Sequence, residues 1–215
     1  MNVEEASNEG ERQRSTRRPL IYLAGAGILL LVALFAIWWF RPPEMNGVLL
    51  QSPQPAADFT LTASTGERVS LSDLRGQYVL FYFGYTFCPD VCPTTLNDLA
   101  DMGQELGERR MDEVQVVFVT VDPERDSVEH LASYLPHFDP EFLGMTGTAD
   151  EIDAVASQFG IFHQRHEGSE ATGYLVDHTS TITVVDPEGY VRLIFRYGTS
   201  GEEMASDLKY LIRRG

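Results

Sequence analysis

The hydrophobic pattern begins with one long uncharged stretch, which runs from Leu20 to Phe40. At a rise of about 1.5 Å per residue, a helix of this length spans the roughly 30 Å hydrocarbon core of a bilayer. Tyr22 lies near one end of the stretch and Trp38 and Trp39 lie at the other, where aromatic rings favour the membrane interface. The pattern therefore predicts a transmembrane helix at residues 20–40.

The charges on either side of that helix predict its orientation. Four arginines precede it, at positions 12, 14, 17 and 18, and one follows closely at position 41. Because the more basic flank stays in the cytoplasm, we expect a cytoplasmic segment at residues 1–19, a proline-containing tether at 41–57 and an exported domain at 58–215. A cleaved signal peptide is the competing interpretation, but its apolar core is shorter and is followed by small residues. The favoured location is the bacterial inner membrane, with the domain in the periplasm.

The rest of the chain alternates between strand and helix patterns. Continuous apolar runs, which are typical of strands buried on both faces, cover Tyr78–Gly84 and Val114–Val121. A hairpin is predicted over Phe59–Leu71, because two short alternating runs flank a turn that contains glycine. Similar runs predict late strands at Tyr174–Val176, Ser180–Val185 and Tyr190–Arg196.

Helix patterns lie between these strands. The first helix is expected from about Thr94, and Asp126 is expected to cap the next one. Capping-box pairs predict two further helices, which follow Thr148 and Ser200. Strands that alternate with helices indicate an α/β fold, layered around a central sheet.

Composition and charge exclude several classes of protein. The chain has 215 residues, of which 43% are hydrophobic and 22% are charged, as in globular rather than disordered proteins. Its formal net charge of −16 argues against a nucleic-acid binder, because phosphate contacts need lysine and arginine. Two cysteines are too few for a disulfide scaffold.

The candidate chemistry is concentrated in the motif Cys88-Pro-Asp-Val-Cys92-Pro93, between a buried strand and a helix. Pro93 suits the first position of a helix, which makes Cys92 the predicted cap and leaves Cys88 on the preceding loop. A helix N-terminus favours thiolates through its dipole and its free N–H groups. A structural disulfide would close too short a loop to add much stability. Redox chemistry or metal binding is therefore favoured, and the spacing alone does not choose between them.

Two soft sulfur ligands favour Cu(I), and histidine is the expected third ligand. The strongest of the five histidines is His178, because it ends a predicted strand beside Asp177. His163 and His166 are weaker candidates, since they lie in a polar segment that we expect to be a loop. The remaining two, on or near a predicted helix, are His130 and His137.

Three motifs resemble those of the SCO/SenC family. Members of that family are membrane-anchored copper proteins that act in the assembly of cytochrome c oxidase. The motifs are GYTFCPDVCP, VDPERDS and the late VDHT, and the resemblance covers roughly residues 50–215. It implies a thioredoxin-like central sheet flanked by helices, with an added β-hairpin. It also implies copper ligands at Cys88, Cys92 and His178, with Asp177 supporting His178.

Two other features bear on this resemblance. Asp122 and Asp126 match the VDPERD segment of the family and are interpreted as loop and helix-cap residues. Phe87 departs from the family, because many relatives have a polar residue or histidine before the first cysteine. The change affects access or polarity at the site and removes no ligand.

The resemblance implies a copper chaperone that holds Cu(I) or Cu(II). Its expected partners are the copper-bearing subunit of cytochrome c oxidase, other periplasmic copper chaperones and the membrane. An alternative is a thiol–disulfide oxidoreductase that reduces cysteines of that subunit, with Cys88 attacking and Cys92 resolving the mixed disulfide. Two further alternatives remain. One is a peroxide-reducing enzyme that uses Thr86, and the other is a protein that binds zinc at the same ligands. Whether the protein is an enzyme stays open at this point.

Overall fold

The computed structural model describes Tyr22 and residues 26–35, 45–167 and 173–213. The chain divides into two units, Met1–Glu44 and Met45–Gly215. Residues 26–35 of the first unit are helical. Among the described residues, no helix is both long enough and apolar enough to cross a membrane. About half of the predicted transmembrane helix at residues 20–40 lies outside the described residues, as do all of residues 1–19.

The described part of the second unit contains ten strands, which form one large sheet and one small sheet. The strands are β1 Val48–Pro55, β2 Thr60–Ala63, β3 Arg68–Ser70, β4 Tyr78–Gly84, β5 Val114–Thr120, β6 Leu143–Thr146, β7 His163–Glu167, β8 Tyr174–His178, β9 Ile182–Val185 and β10 Tyr190–Phe195. The large sheet has eight strands in the order β1-β10-β9-β4-β5-β6-β2-β3, and β7 pairs with β8 in the small one. β4 and β5 are parallel neighbours near the centre of the large sheet.

Helices flank this sheet, which confirms the predicted α/β architecture. The helices are α1 Val91–Leu106, α2 Glu108–Met111, α3 Val128–Tyr134, α4 Ala149–Gln158 and α5 Gly201–Ile212, with short 3-10 helices at Leu71–Leu74 and Leu135–His137. α1 and α5 pack against each other, and α3 packs against β6. The predicted capping boxes at the starts of α4 and α5 are both present.

The hydrophobic core is centred on β4, as its apolar sequence predicts. Every residue of β4 is buried, and Phe81, Tyr82 and Phe83 have no exposed surface. Burial of such large apolar side chains contributes about 1.5–3 kcal/mol each. β4 is therefore a firmly held base for the loop that leaves its carboxyl end.

Three segments that the sequence pattern placed outside the sheets are strands: β1, the short buried β6, and β7. β1 occupies residues 48–55 of the predicted tether and pairs antiparallel with β10. It is an edge strand, so Pro53 and Pro55 do not interrupt a central hydrogen-bond ladder. β7, which contains His163 and His166, pairs with β8 and is not a loop. Because its residues are mostly exposed, it shows no hydrophobic alternation that predicts a strand.

A buried carboxylate fixes the chain where it enters β1. Asp207 on α5 is 2% exposed and accepts hydrogen bonds from the backbone N–H groups of Asn46 and Gly47, both at 2.8 Å. The side-chain amide of Asn46 donates to the same carboxylate at 3.0 Å. These bonds attach the residues just before β1 to α5.

Gly201 provides a test of the packing between α5 and α1. A Cβ atom there would lie 2.6 Å from the backbone oxygen of Asp98 and 2.6 Å from the backbone nitrogen of Met102. Because backbone atoms cannot rotate aside, we expect Gly201→Ala to lower the free energy of unfolding by about 1–3 kcal/mol. Gly103→Ala is the matched control, since its Cβ would meet Met111 at an ordinary 3.6 Å. Chemical denaturation measures both, and equal stability of the two variants would contradict the packing.

Candidate metal centre

The two cysteines lie on either side of the junction between the β4–α1 loop and α1. The helix begins at Val91 with Asp90 as its cap, so Cys92 is the second helical residue and not the predicted cap. Pro93 is tolerated in this first turn because the N–H groups there have no acceptor within the helix. The predicted start near Thr94 was therefore too late. Cys88 lies on the preceding loop, as predicted.

The start of the helix supplies a hydrogen-bond donor to the first cysteine. The backbone N–H of Cys92 donates to Sγ of Cys88 at 3.4 Å. Both cysteines are free thiols; Cys88 is half-buried, and Cys92 has no exposed surface. Hydrogen bonding from the Cys92 thiol, opposed by burial, lowers the pKa of Cys88 to about 3. The pKa of Cys92 is raised, because its proton is held against the Cys88 sulfur and because burial disfavours a second thiolate.

His178 brings the third donor atom to these sulfurs. It is the last residue of β8, and its Nε2 lies 3.4 Å from Sγ of Cys92. Its Nδ1 lies 3.3 Å from the carbonyl oxygen of Thr179. A proton on Nδ1 leaves the lone pair of Nε2 directed towards the cysteines. The ligand atoms of Cys88, Cys92 and His178 all lie within 4.8 Å of one another, and no other group of three such side chains converges in the described part of the chain.

Aromatic rings and one glycine surround this cluster. The rings of Tyr82 and Tyr85 meet the His178 imidazole edge-on, with centroids 6.3 and 5.9 Å away. Gly84 ends β4 beside the second sulfur, where a Cβ would lie 2.9 Å from Sγ of Cys92. The absence of a side chain at Gly84 therefore lets the helix bring its sulfur close to the sheet.

Asp177 makes no contact with the imidazole it was expected to support. Neighbouring strand residues point to opposite faces, and the carboxylate of Asp177 lies 2.7 Å from Nε2 of His166. His163 lies opposite His178 in the β7–β8 register, but its Nε2 pairs with Asp153 at 3.0 Å. The structure thus brings His178 to the cysteines and directs these two other histidines to carboxylates.

Ser127, and not Asp126, caps the helix that follows β5. The Ser127 side chain accepts the backbone N–H of His130. Asp126 has no exposed surface and accepts hydrogen bonds from Thr86 and Thr120. Adjacent aspartate and serine offer two possible caps, and the local pattern does not reveal which one is buried. The hydroxyl of Thr86 donates to Asp126 at 2.6 Å, so its proton is not directed towards a peroxide substrate.

Asp122 lies in the β5–α3 loop, as predicted, and binds an arginine. Its carboxylate pairs with Arg125 and accepts the Tyr174 hydroxyl at 2.7 Å. The Arg125 guanidinium lies 3.7 Å from the ring centroid of Tyr174 and 4.8 Å from that of Phe87. Phe87 is half exposed beside Cys88. This cation–π cluster connects the cysteine loop with the start of β8, and it has no local sequence signal that would have predicted it.

Known proteins resemble this chain in both sequence and fold. Residues 49–213 match the family model described as SCO1/SenC. The chain belongs to the SCO1/SenC family. Among its relatives, a SCO2-like protein of Rickettsia felis is 37% identical over 183 residues, which cover 82% of this chain and 89% of the relative.

Two solved Sco structures have the same fold. Apo Sco1 of Thermus thermophilus is 39% identical, with a TM-score of 0.71 and coverage of 78% of this chain and 97% of that one. Bradyrhizobium japonicum ScoI with copper bound is 35% identical, with a TM-score of 0.66 and coverage of 73% and 98%. The family and the thioredoxin-like Sco fold inferred from the motifs are therefore confirmed.

The asymmetry of the two thiols predicts a single thiolate at mildly acidic pH. Because the pKa of Cys88 is about 3 and that of buried Cys92 is raised, iodoacetamide at about pH 5 should modify Cys88 and spare Cys92. An ordinary thiol, with a pKa of about 8.5, reacts slowly at that pH. Cys92→Ala removes the largest cause of the low pKa, so Cys88 should react more slowly at the same pH. Mass spectrometry identifies the modified residue, and equal modification of both cysteines would contradict the assignment.

Proposed function

We propose that this chain binds one copper ion through Cys88, Cys92 and His178 and delivers it to the copper-bearing subunit of cytochrome c oxidase. The convergence of three donor atoms within 4.8 Å of one another carries the proposal. Two sulfurs and one imidazole nitrogen suit Cu(I) better than they suit hard cations. The copper-bound ScoI of B. japonicum supports copper over zinc, and the family resemblance supports the oxidase as the destination.

The donor set suits either oxidation state of copper. Two thiolates and a neutral imidazole carry a combined charge of −2, so the loaded site has a charge of −1 with Cu(I) and of zero with Cu(II). The contact between Nδ1 of His178 and the Thr179 carbonyl favours the neutral tautomer that presents Nε2 to the ion. Copper is the cargo of this site and not a permanent cofactor.

Access from one side suits the release of the ion. Cys88 and His178 border a cleft of about 240 Å³, which Asp90 and Asp177 also line. Cys92 has no exposed surface. An acceptor ligand that enters the cleft reaches Cys88 before Cys92, so we propose that transfer begins with the exchange of the Cys88 sulfur.

Thiol–disulfide exchange is a second candidate, favoured by the difference between the two thiols. The Cys88 thiolate, which is accessible from the cleft, would attack a disulfide of the target and release one target thiolate. Cys92 would then lose its proton to solvent, attack the Cys88 sulfur and release the second target thiolate. The target gains two electrons, and the Cys88–Cys92 pair is oxidised to a disulfide. In this reaction His178 is an accessory group.

We also propose that a helix at residues 20–40 anchors the protein in the bacterial inner membrane. The uncharged stretch and the arginines that precede it support this proposal. Residues 1–19 would then lie in the cytoplasm, and the copper site would lie in the periplasm. Such an anchor keeps the site beside a membrane-embedded oxidase and accessible to other periplasmic copper chaperones.

Copper titration of the full-length protein tests the ligand assignment. Cys88→Ala, Cys92→Ala and His178→Ala should each lower copper affinity by more than about 100-fold, beyond the loss expected for a group that only supports a ligand. His166→Ala is the matched control, because this exposed histidine contacts Asp177 and not the cysteines. Unchanged affinity in the first three variants would show that the assignment is wrong.

Copper binding and the disulfide potential of the same full-length protein distinguish the two candidate functions. A carrier binds one equivalent of copper when its thiols are reduced. A dedicated reductase binds no copper at stoichiometric addition, and its cysteine pair has a reduction potential below that of its target disulfide.

Membrane fractionation tests the anchor. We expect the full-length protein to stay in the membrane fraction after alkaline carbonate extraction, because an uncharged helix of this length remains in the hydrocarbon core. A matched chain that lacks residues 1–44 should be recovered in the soluble fraction. Carbonate release of the full-length chain, or a mature protein cleaved after the apolar stretch, would contradict the anchor.

A further inference from the structure

We propose that Asp126 is a positioning residue for the metal centre, which acts by fixing the loop that carries Cys88. Its carboxylate binds both the backbone N–H and the hydroxyl of Thr86, at 3.0 and 2.6 Å. Thr86 precedes Cys88 by two residues. The inference rests on the proposed function, since it assigns a role in holding a copper ligand.

Asp126 is a buried carboxylate whose charge is compensated by hydrogen bonds. The side chain has no exposed surface, and burial raises its pKa. Among the described residues no lysine, arginine or histidine forms an ion pair with it, and an unpaired buried carboxylate is costly unless hydrogen bonds compensate it. Three donors compensate it here: the N–H and hydroxyl of Thr86 and the hydroxyl of Thr120, the last at 2.6 Å.

All three partners donate in this structure, an arrangement that is best satisfied by a group that only accepts. An ionised carboxylate meets this requirement with both of its oxygens. An asparagine amide has the same shape but presents an NH₂ group to one of the donors. Asparagine thus keeps the shape of the side chain and changes one of these hydrogen bonds, which provides a conservative variant for a test.

The carboxylate connects the ends of two neighbouring strands. Thr120 is the last residue of β5 and lies opposite Gly84, the last residue of β4. The backbone N–H of Val121 also donates to the carbonyl of Gly84 at 2.8 Å. Asp126 thus attaches the loop that leaves β4 to the end of β5, which fixes the path of the chain from Gly84 towards Cys88.

His130 covers this contact from the outer side. Its Nε2 lies 2.8 Å from the Thr86 hydroxyl, and because that hydroxyl donates to Asp126, the imidazole is the donor of the second bond. The His130 ring stacks on Phe87 at a centroid distance of 5.6 Å and an interplanar angle of 20°. The residue immediately before Cys88 is therefore held from the same side.

Three substitutions in the full-length protein test the inference. Asp126→Asn and Thr86→Val remove the acceptor and the hydroxyl donor, and Thr86→Ser keeps the donor and should restore wild-type behaviour. Asp207→Asn is the matched control, because Asp207 is an equally buried carboxylate whose partners, Asn46 and Gly47, lie before β1. The measurements are copper affinity, the thiolate-to-Cu(II) charge-transfer spectrum and the midpoint potential of the Cys88–Cys92 disulfide.

We expect Asp126→Asn and Thr86→Val to lower copper affinity by about 10–100-fold, the range for groups that orient a metal ligand. Both should also shift the charge-transfer spectrum and the disulfide potential, whereas Thr86→Ser and Asp207→Asn should leave all three near wild type. Should Asp126→Asn fail to fold, Thr86→Val against Thr86→Ser decides the matter. The inference would be overturned if Asp126→Asn or Thr86→Val kept the wild-type spectrum, copper affinity and disulfide potential. It would also be overturned if Asp207→Asn shifted these measurements equally.

The proposed function and this inference fail in different ways. If the wild-type protein bound no copper, the carrier function would be wrong, and the copper-independent disulfide potential would still decide the role of Asp126. If the wild-type protein bound copper and the Asp126 variants matched it in every measurement, the carrier function would stand and the positioning role would not.

Discussion

The close approach of Cys92 to His178 is the constraint on which the rest of the structure depends. Their ligand atoms lie 3.4 Å apart, although the two residues are 86 positions apart along the chain. The fold must therefore bring the end of β8 onto the first turn of α1. Buried β4 fixes the base of that turn, and Gly84 leaves room for the sulfur against the sheet. A shift of either segment would separate these two donor atoms.

The two cysteines share one motif but have different environments, and this difference gives the site its chemistry. Cys92 is enclosed, so its sulfur is a fixed point of the centre. Cys88 lies on a loop at the border of a cleft that is open to solvent. A site with one enclosed sulfur and one accessible sulfur suits ligand exchange with an acceptor, and the same asymmetry suits thiol–disulfide exchange. Asp126 and Arg125 restrain the accessible side through Thr86 and Phe87.

The sequence predicted the elements whose signals are local. The apolar run at Tyr78–Gly84 and the capping boxes of α4 and α5 are present as expected, because burial and capping leave direct patterns. The exposed strands β1 and β7 were missed, because no hydrophobic alternation marks an exposed edge. The late histidine of the metal centre was the strongest candidate from its position at a predicted strand end, and the family resemblance reinforced that choice. The burial of Asp126 and the lack of contact between Asp177 and His178 depend on tertiary contacts, which no local pattern encodes.

X-ray absorption at the copper edge of the copper-loaded full-length protein tests the central claim most directly. This measurement counts the sulfur and nitrogen atoms bound to the ion. Convergence of Cys88, Cys92 and His178 predicts two sulfur neighbours and one imidazole nitrogen, with one sulfur lost in either cysteine variant. A copper ion surrounded only by nitrogen and oxygen atoms would contradict the account.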